Sequence, residues 1–133
     1  MQIVSRLALP ALAAALALSG CVTGASKAPL ADGIDVALGQ RAMVGGPVVQ
    51  PVEVVEDSRC PMNARCVWAG RVRVKMLWLR PTGESHPFEV TLGEATPLAD
   101  GAIRLESVRP EKRSSAPIAA KDYRFSFRFD GGL

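Results

Sequence analysis

The sequence is poor in the side chains that most often carry chemistry. Among its 133 residues are one histidine, His86, and three cysteines, so general bases and soft metal ligands are scarce. No Gly-x-Gly-x-x-Gly segment and no Gly-Lys-Ser/Thr segment occurs, which excludes the common phosphate-binding loops. The 16 basic and 13 acidic residues are nearly balanced, which excludes a polybasic arm for nucleic acid. These absences favour a small domain that acts by binding.

The longest apolar run lies near the start of the chain, at residues 7–18, directly after Arg6. A positive residue, a short apolar core and small residues at its end are typical of a secretory signal. At 1.5 Å per residue the run would span about 18 Å of helix, well short of a hydrocarbon core of about 30 Å. Residues 1–20 are therefore predicted to be a cleaved signal peptide and not a membrane span.

The end of this signal, Leu18-Ser19-Gly20-Cys21, resembles the lipobox of bacterial lipoproteins. In that class a diacylglyceryl group is attached to the cysteine sulfur, the chain is cleaved just before the cysteine, and the new amino group commonly receives a fatty acyl chain such as palmitate. The resemblance implies lipidation at Cys21 and a membrane as partner through that anchor. Val22 stands where Asp often marks inner-membrane retention, so the periplasmic face of the outer membrane is favoured. An ordinary secretory signal with an incidental cysteine is the alternative.

Export determines what the other two cysteines are expected to do. Outside the cytoplasm disulfides persist, and with Cys21 used for lipid, Cys60 and Cys66 remain as an even pair that we expect to be bridged. Such a short ring would add roughly 2–3 kcal/mol of stability. Residues 21–32 hold the lipidated cysteine and then small, polar side chains typical of a flexible tether. Residues 33–133 are predicted to form one domain.

Within that domain, apolar and polar side chains alternate with a period of two, the pattern of half-buried strands. The clearest case is the last one, in which Tyr123, Phe125, Phe127 and Phe129 alternate with polar residues. Strands are predicted at residues 34–38, 48–55, 72–78, 88–92, 103–105 and 123–129, and Pro51 indicates an edge or a bulge in the second. Six to seven short strands predict an all-β fold, either an antiparallel β-sandwich of the immunoglobulin-like kind or a small barrel.

The segment around the cysteine pair is the most distinctive local feature. Asp57-Ser58-Arg59-Cys60-Pro61, a short spacer and Cys66-Val67-Trp68-Ala69-Gly70 resemble a motif found in an uncharacterised family of small secreted and lipoprotein domains from bacteria. The resemblance covers about residues 50–130, including the tail segments 103–110 and 118–129. It implies a fold and no chemistry. Locally, we expect Asp57 to pair with Arg59 and Trp68 to cap the core.

Catalysis and metal binding find little support in the residues. His86 is the only imidazole for a hydrolase, it lies in a predicted loop before Pro87, and no Gly-x-Ser-x-Gly segment accompanies it. A bridged cysteine pair leaves no thiolate for a metal, and Met43, Met62 and Met76 show no spacing suited to copper. We therefore predict no catalytic residue, metal or cofactor. A hydrolase that uses His86 is the weakest alternative.

Two surfaces are candidates for binding. The first is the loop between the cysteines, formed by Met62, Asn63, Ala64 and Arg65. The second is a possible basic face, which would form if the strands that carry its six residues were neighbours. Its members are Arg71, Arg73, Lys75, Arg104, Arg124 and Arg128. A cationic face would suit an anionic glycolipid or an acidic envelope protein, whereas pairing across strands with Glu89 and Glu106 would leave only a solvated surface.

The function expected from the sequence is a non-catalytic binding or accessory module at the cell envelope. A protease-inhibitor-like domain that inserts the Cys60–Cys66 loop into an envelope protease is the alternative, since a disulfide-stiffened loop loses little entropy on binding. Nucleic acid is not expected as a partner at this location.

Overall fold

The computed structural model describes residue 20 and residues 30–131. The predicted signal peptide up to residue 19, Cys21 and the tether as far as residue 29 lie outside the described residues. The described part is all-β, and its only helical element is one 3-10 turn, Ala120–Asp122. Within this part, no helix has the length and apolar character needed to cross a membrane.

In residues 30–131, seven strands form two antiparallel sheets that are not closed into a barrel. The strands are β1 (Ala42–Met43), β2 (Val48–Asp57), β3 (Val72–Leu79), β4 (Ser85–Thr91), β5 (Ala95–Leu98), β6 (Gly101–Arg109) and β7 (Arg124–Asp130). One sheet has the order β1-β2-β3-β4 and the other β5-β6-β7. Of the two predicted architectures, the β-sandwich is confirmed.

The core lies between the two sheets and follows the predicted alternation. On β3, Val72, Val74 and Met76 are fully buried, and Phe125 and Phe127 of β7 pack against the same core. No polar or charged residue of the described part is fully buried. Apolar side chains and Tyr123 form this core, and burial of its apolar surface stabilises the sandwich.

The amino-terminal part of the domain differs from the prediction. Residues 34–38 do not form a strand: Val36 alone bridges to Phe125, through N–H···O bonds of 2.8 and 2.9 Å. Gly33 and Asp35 have positive φ angles of 91° and 52°, and a positive φ is incompatible with an extended strand. Ordered pairing already begins at Ala31, which bridges to β1.

Two short strands, β1 and β5, were not predicted from the alternation of apolar and polar residues, and each has a physical reason. β1 has only two residues, too few for a period to show. β5 contains Pro97, and proline inside a run argues against a strand unless the strand lies at an edge, as β5 does. The prediction for Pro51 is confirmed, because the β2–β3 register shifts between Pro51 and Glu53.

Strand β2 separates two ends of the sandwich. Its first residue, Val48, lines a cavity together with Leu30, where the described domain begins. Its last residue, Asp57, leads into the cysteine loop. Ten strand residues at about 3.3 Å each span roughly 33 Å. We call these the amino-terminal end, at Leu30, and the loop end, at Cys60–Cys66.

Candidate functional site: the disulfide loop

The loop end is built on the Cys60–Cys66 disulfide, which confirms the predicted pairing. The two Cα atoms lie 5.8 Å apart. Inside the ring, the Ala64 N–H donates to the Pro61 carbonyl at 3.1 Å, so the chain turns tightly between those residues. All four members of the predicted binding loop, Met62 to Arg65, are exposed.

The Asp57 carboxylate anchors the base of the loop, and the Asp57 side chain is only 9% exposed. Arg59 donates to it through Nε and Nη2, both at 2.8 Å. The Tyr123 hydroxyl donates to Asp57 Oδ2 at 2.7 Å. The predicted Asp57–Arg59 pair is thus confirmed, but the sequence did not predict the third member, Tyr123, which directly precedes β7. The carboxylate therefore joins two segments 66 residues apart in the sequence.

Arg59 extends this network to the end of β6 and the segment that follows it. Its Nη1 donates to the carbonyl oxygens of Val108 at 3.2 Å and Pro110 at 3.1 Å. The same segment reaches back, since Lys112 Nζ donates to the Asp57 carbonyl at 3.0 Å and the Lys112 carbonyl accepts the Met62 N–H at 2.9 Å. The cysteine loop is consequently fixed from two sides, by its own disulfide and by the 108–112 segment.

The electrostatics of the network follow from partial burial and these hydrogen bonds. Burial raises the pKa of Asp57, but the hydrogen bonds from Arg59 and Tyr123 outweigh burial and lower that pKa to about 2. Burial and the hydrogen bond to Asp57 raise the pKa of Tyr123 to about 12. The hydrogen bond to Asp57 also raises the pKa of Arg59. At neutral pH the pair is therefore ionised, and the phenol keeps its proton and acts as a donor.

The base of the loop closes where Gly70 passes Ser58. The Ser58 N–H donates to the Arg71 carbonyl at 2.9 Å, and the Arg71 N–H donates to Ser58 Oγ at 3.0 Å. A Cβ atom at Gly70 would lie 1.6 Å from the Ser58 carbonyl oxygen. Only glycine fits at this crossing, which accounts for Gly70 at the end of the motif.

The loop end exposes three large apolar side chains. Met62 is 69% exposed, Val67 88% and Trp68 81%. The expectation that Trp68 caps the core is wrong, because the disulfide and the Ser58–Gly70 crossing hold residues 66–69 outside the sandwich, while Val72 begins the buried row of β3. Exposed apolar side chains grouped on one rigid feature are typical of interaction sites.

The six predicted basic residues do not form one face. Arg71, Arg73 and Lys75 lie at or on β3, and Arg104, Arg124 and Arg128 lie on β6 and β7 of the other sheet. β6 and β7 are neighbours, with Arg104 opposite Arg128, but β3 belongs to the other sheet, so the condition for one continuous cationic face of all six residues is not met. Cross-strand ion pairing occurs instead, between Arg73 and Glu89 and between Arg128 and Glu106.

His86 occupies a strand and not the predicted loop. It lies on β4 opposite Trp78, with the two rings 5.9 Å apart, and its Nε2 is 3.3 Å from Glu84 Oε2. Proline at position 87 is tolerated in the strand because β4 is an edge. Among the described residues, no three His, Cys, Asp or Glu side chains converge on a point where they could hold a metal ion.

These features define an open antiparallel β-sandwich whose distinctive site is a disulfide-closed loop fixed by a partly buried Asp–Arg–Tyr network. Comparisons of the chain with protein-family models, curated proteins and solved structures found no match.

Proposed function

We propose that this protein is a lipid-anchored, non-catalytic binding module of the bacterial cell envelope, with the loop end as its contact surface. The observation that carries the proposal is the exposure of Met62, Val67 and Trp68 on a loop that is fixed at its base. The lipid anchor rests on the lipobox resemblance at Cys21, and an outer-membrane location rests on Val22.

The rigidity of the loop supports binding. Ordering a mobile side chain or loop on association costs free energy, and a loop already ordered in the free protein avoids much of that cost. Trp68 is the kind of residue that dominates binding energy at interfaces, since tryptophan is enriched among the few positions with large effects. The surface therefore combines an aromatic anchor with a preorganised frame.

The position of the loop supports an accessory role away from the bilayer. Residues 21–29 can span at most about 30 Å, so a lipid on Cys21 keeps Leu30 close to the membrane. The loop end lies on the opposite side of the sandwich, because β2 runs its full length between them. The contact surface then points toward a partner in the periplasm.

The turn inside the ring favours a binding module over a protease inhibitor. A substrate-like inhibitor inserts its loop into a protease as an extended strand, which forms main-chain hydrogen bonds with the enzyme. Here the Ala64 N–H donates to the Pro61 carbonyl within the loop, so the loop is a turn and not an extended strand. Inhibition of an envelope protease that is lost on replacing residues 62–65 with Gly and Ser would reverse this preference.

Site-specific crosslinking in the native envelope tests the proposal. A photoreactive amino acid at position 67 should yield a discrete adduct, because Val67 is 88% exposed at the loop end. The matched control is position 82, an exposed residue of the β3–β4 turn at the amino-terminal end. Equal labelling from both positions, or none from 67, would contradict the proposal.

A further inference from the structure

We propose that the groove beside Trp68 binds an acidic sugar, a saccharide ring that carries a carboxylate or phosphate. This inference rests on the proposed function, since it names the ligand class of the same loop end. It is carried by three features of the groove, which are its size, an exposed aromatic face and a guanidinium with free donors.

The groove lies between the disulfide and the start of β3. It has a volume of about 310 Å³ and is lined by Glu56, Ser58, Cys66, Trp68, Gly70 and Arg71, together with Ala69. This volume is at the lower end of the range for small-molecule sites, about 300–1,000 Å³. It suits one ring and is too small for a folded segment of a partner.

Trp68 supplies a flat apolar wall. Its side chain is 81% exposed, and within the described residues its indole N–H has no hydrogen-bond partner. The C–H face of a sugar ring can lie flat against an indole while the ring hydroxyls remain in water. A groove that is open to solvent on one side allows this amphipathic contact.

Arg71 supplies a donor fork that is oriented by an ion pair with Glu56. Its Nε donates to Glu56 Oε2 at 2.8 Å, and across the described part of the chain neither of its Nη groups has a hydrogen-bond partner. Glu56 is itself held by Arg73 at 3.3 Å and by the Ser58 hydroxyl at 3.2 Å. A guanidinium held by Nε, with both Nη groups open, can bind a carboxylate or phosphate with high directionality.

The charge on Glu56 keeps this arrangement in place at neutral pH. Partial desolvation raises the pKa of Glu56, but hydrogen bonds from Arg71 and Arg73 outweigh it and lower the pKa below its usual value. The carboxylate therefore stays ionised and continues to position Arg71.

The crossing at the base of the loop uses backbone groups that lie beside the groove. The Ser58 N–H and the Arg71 N–H already bond across this crossing, so these two donors do not pair with the main chain of a bound peptide. Stacking on Trp68 and ion pairing with the open Arg71 fork are both satisfied by an acidic sugar.

Titration of the purified protein with small probes tests the inference. The probes are glucuronic acid and glucose 6-phosphate as acidic ligands, glucose as the neutral control and an acidic tripeptide as the competing class. Tryptophan fluorescence and NMR shifts of residues 66–71 report binding. We expect both acidic sugars to shift these signals, and glucose and the tripeptide to bind at least tenfold more weakly.

Matched variants locate the site. Trp68→Ala and Arg71→Ala should each weaken binding roughly tenfold, a change of about 1.4 kcal/mol, and Arg71→Lys should weaken it as well because the fork is lost. Val52→Ala and Arg113→Ala are the controls, because one removes an exposed apolar side chain and the other an exposed guanidinium, and neither residue lines the groove. The controls should bind like the unmodified protein.

The outcomes separate the inference from the proposed function. Absence of sugar binding with a discrete adduct still formed at position 67 overturns the acidic-sugar assignment alone, and stronger tripeptide binding overturns it in favour of a peptide ligand. Absence of both overturns the proposed function as well. If the sugars bind, comparing lipopolysaccharide core oligosaccharide with peptidoglycan fragments identifies which source supplies the acidic sugar.

Discussion

At the scale of single residues, one carboxylate organises the loop end. Asp57 accepts hydrogen bonds from Arg59 and Tyr123, and its carbonyl accepts one from Lys112. These groups come from three separate parts of the chain. Removing the charge therefore affects the whole loop end and leaves the Arg59 guanidinium, 16% exposed, without its counter-ion.

We predict that Asp57→Asn lowers the free energy of unfolding by about 3 kcal/mol at pH 7, since removing one partner of a largely buried ion pair leaves an uncompensated charge. Tyr123→Phe, which removes one hydrogen bond, should cost only about 1–2 kcal/mol. Glu53→Gln is the control on the same strand, because Glu53 is exposed and has no ion pair among the described residues; it should change stability by less than about 0.5 kcal/mol. Urea unfolding measures all three.

The pH dependence of stability follows from the same carboxylate. The pKa of Asp57 is about 2 in the folded protein and near 3.9 in an unfolded chain. Its contribution, on the order of 2 kcal/mol, is therefore complete above about pH 4 and is lost as pH falls toward 2. Asp57→Asn should flatten this acid limb in urea titrations at stepwise pH. An unchanged acid limb in the variant would contradict the assignment.

At the scale of elements, the ring and the sheet edges matter most. The ring spans a sequence separation of six, and closing so short a loop is expected to stabilise the fold by about 2 kcal/mol through the unfolded chain. The double variant Cys60→Ser/Cys66→Ser should lower Tm by roughly 10 °C for a domain of this size. Calorimetry of the unmodified protein with and without reductant provides the comparison, and equal Tm values would show that the bridge contributes nothing.

The free edge of β4 is protected by Pro87. The Leu92 N–H bonds to Val72 and the Arg80 N–H bonds to Glu84, so alternate residues of β4 pair with β3. Pro87, opposite Leu77, is at a position whose N–H would point away from the sheet. A missing donor on an exposed edge discourages pairing with another copy.

We therefore predict that Pro87→Val increases self-association, because it restores an outward N–H on a β-branched edge residue. Thr82→Val is the control, since it adds a similar apolar side chain in the β3–β4 turn without adding an edge donor. Sedimentation velocity across a concentration series measures the effect, and equal behaviour of the two variants would reject this role for the proline.

At the scale of the whole molecule, the two ends of the sandwich have different surroundings under the proposed anchor. Leu30 and Trp78 line the same cavity at the amino-terminal end, and Arg80 lies 5.1 Å from the centre of the Trp78 ring. Trp68 lies at the loop end. The two tryptophans of the chain therefore report on opposite ends.

We predict that brominated lipids quench Trp78 more than Trp68 in vesicles that carry the membrane-purified protein. Single-tryptophan variants, Trp68→Phe and Trp78→Phe, separate the two signals. Intact mass of the same preparation should show loss of residues 1–20 and the addition of two or three acyl chains. Stronger quenching of Trp68 would reverse the orientation, and an unlipidated mass would remove the anchor.

The sequence by itself determined the class of fold and the bridge. Period-two alternation in residues 72–78 and 123–129 reports burial on one face directly, because successive strand residues point to opposite sides. The expectation of export, together with the even cysteine pair, was sufficient to predict the disulfide. The Asp57–Arg59 pair was also readable, since its members are two residues apart.

Tertiary structure alone decided how distant segments meet. The Tyr123–Asp57 bond joins residues 66 positions apart, the separation of Arg71 from Arg104 depends on which sheet each strand enters, and the outward position of Trp68 depends on the crossing at Gly70. Local patterns show which face of a strand is apolar. Local patterns do not predict the order of the strands in a sheet or the path of a loop, because both are determined by packing between segments far apart in the chain.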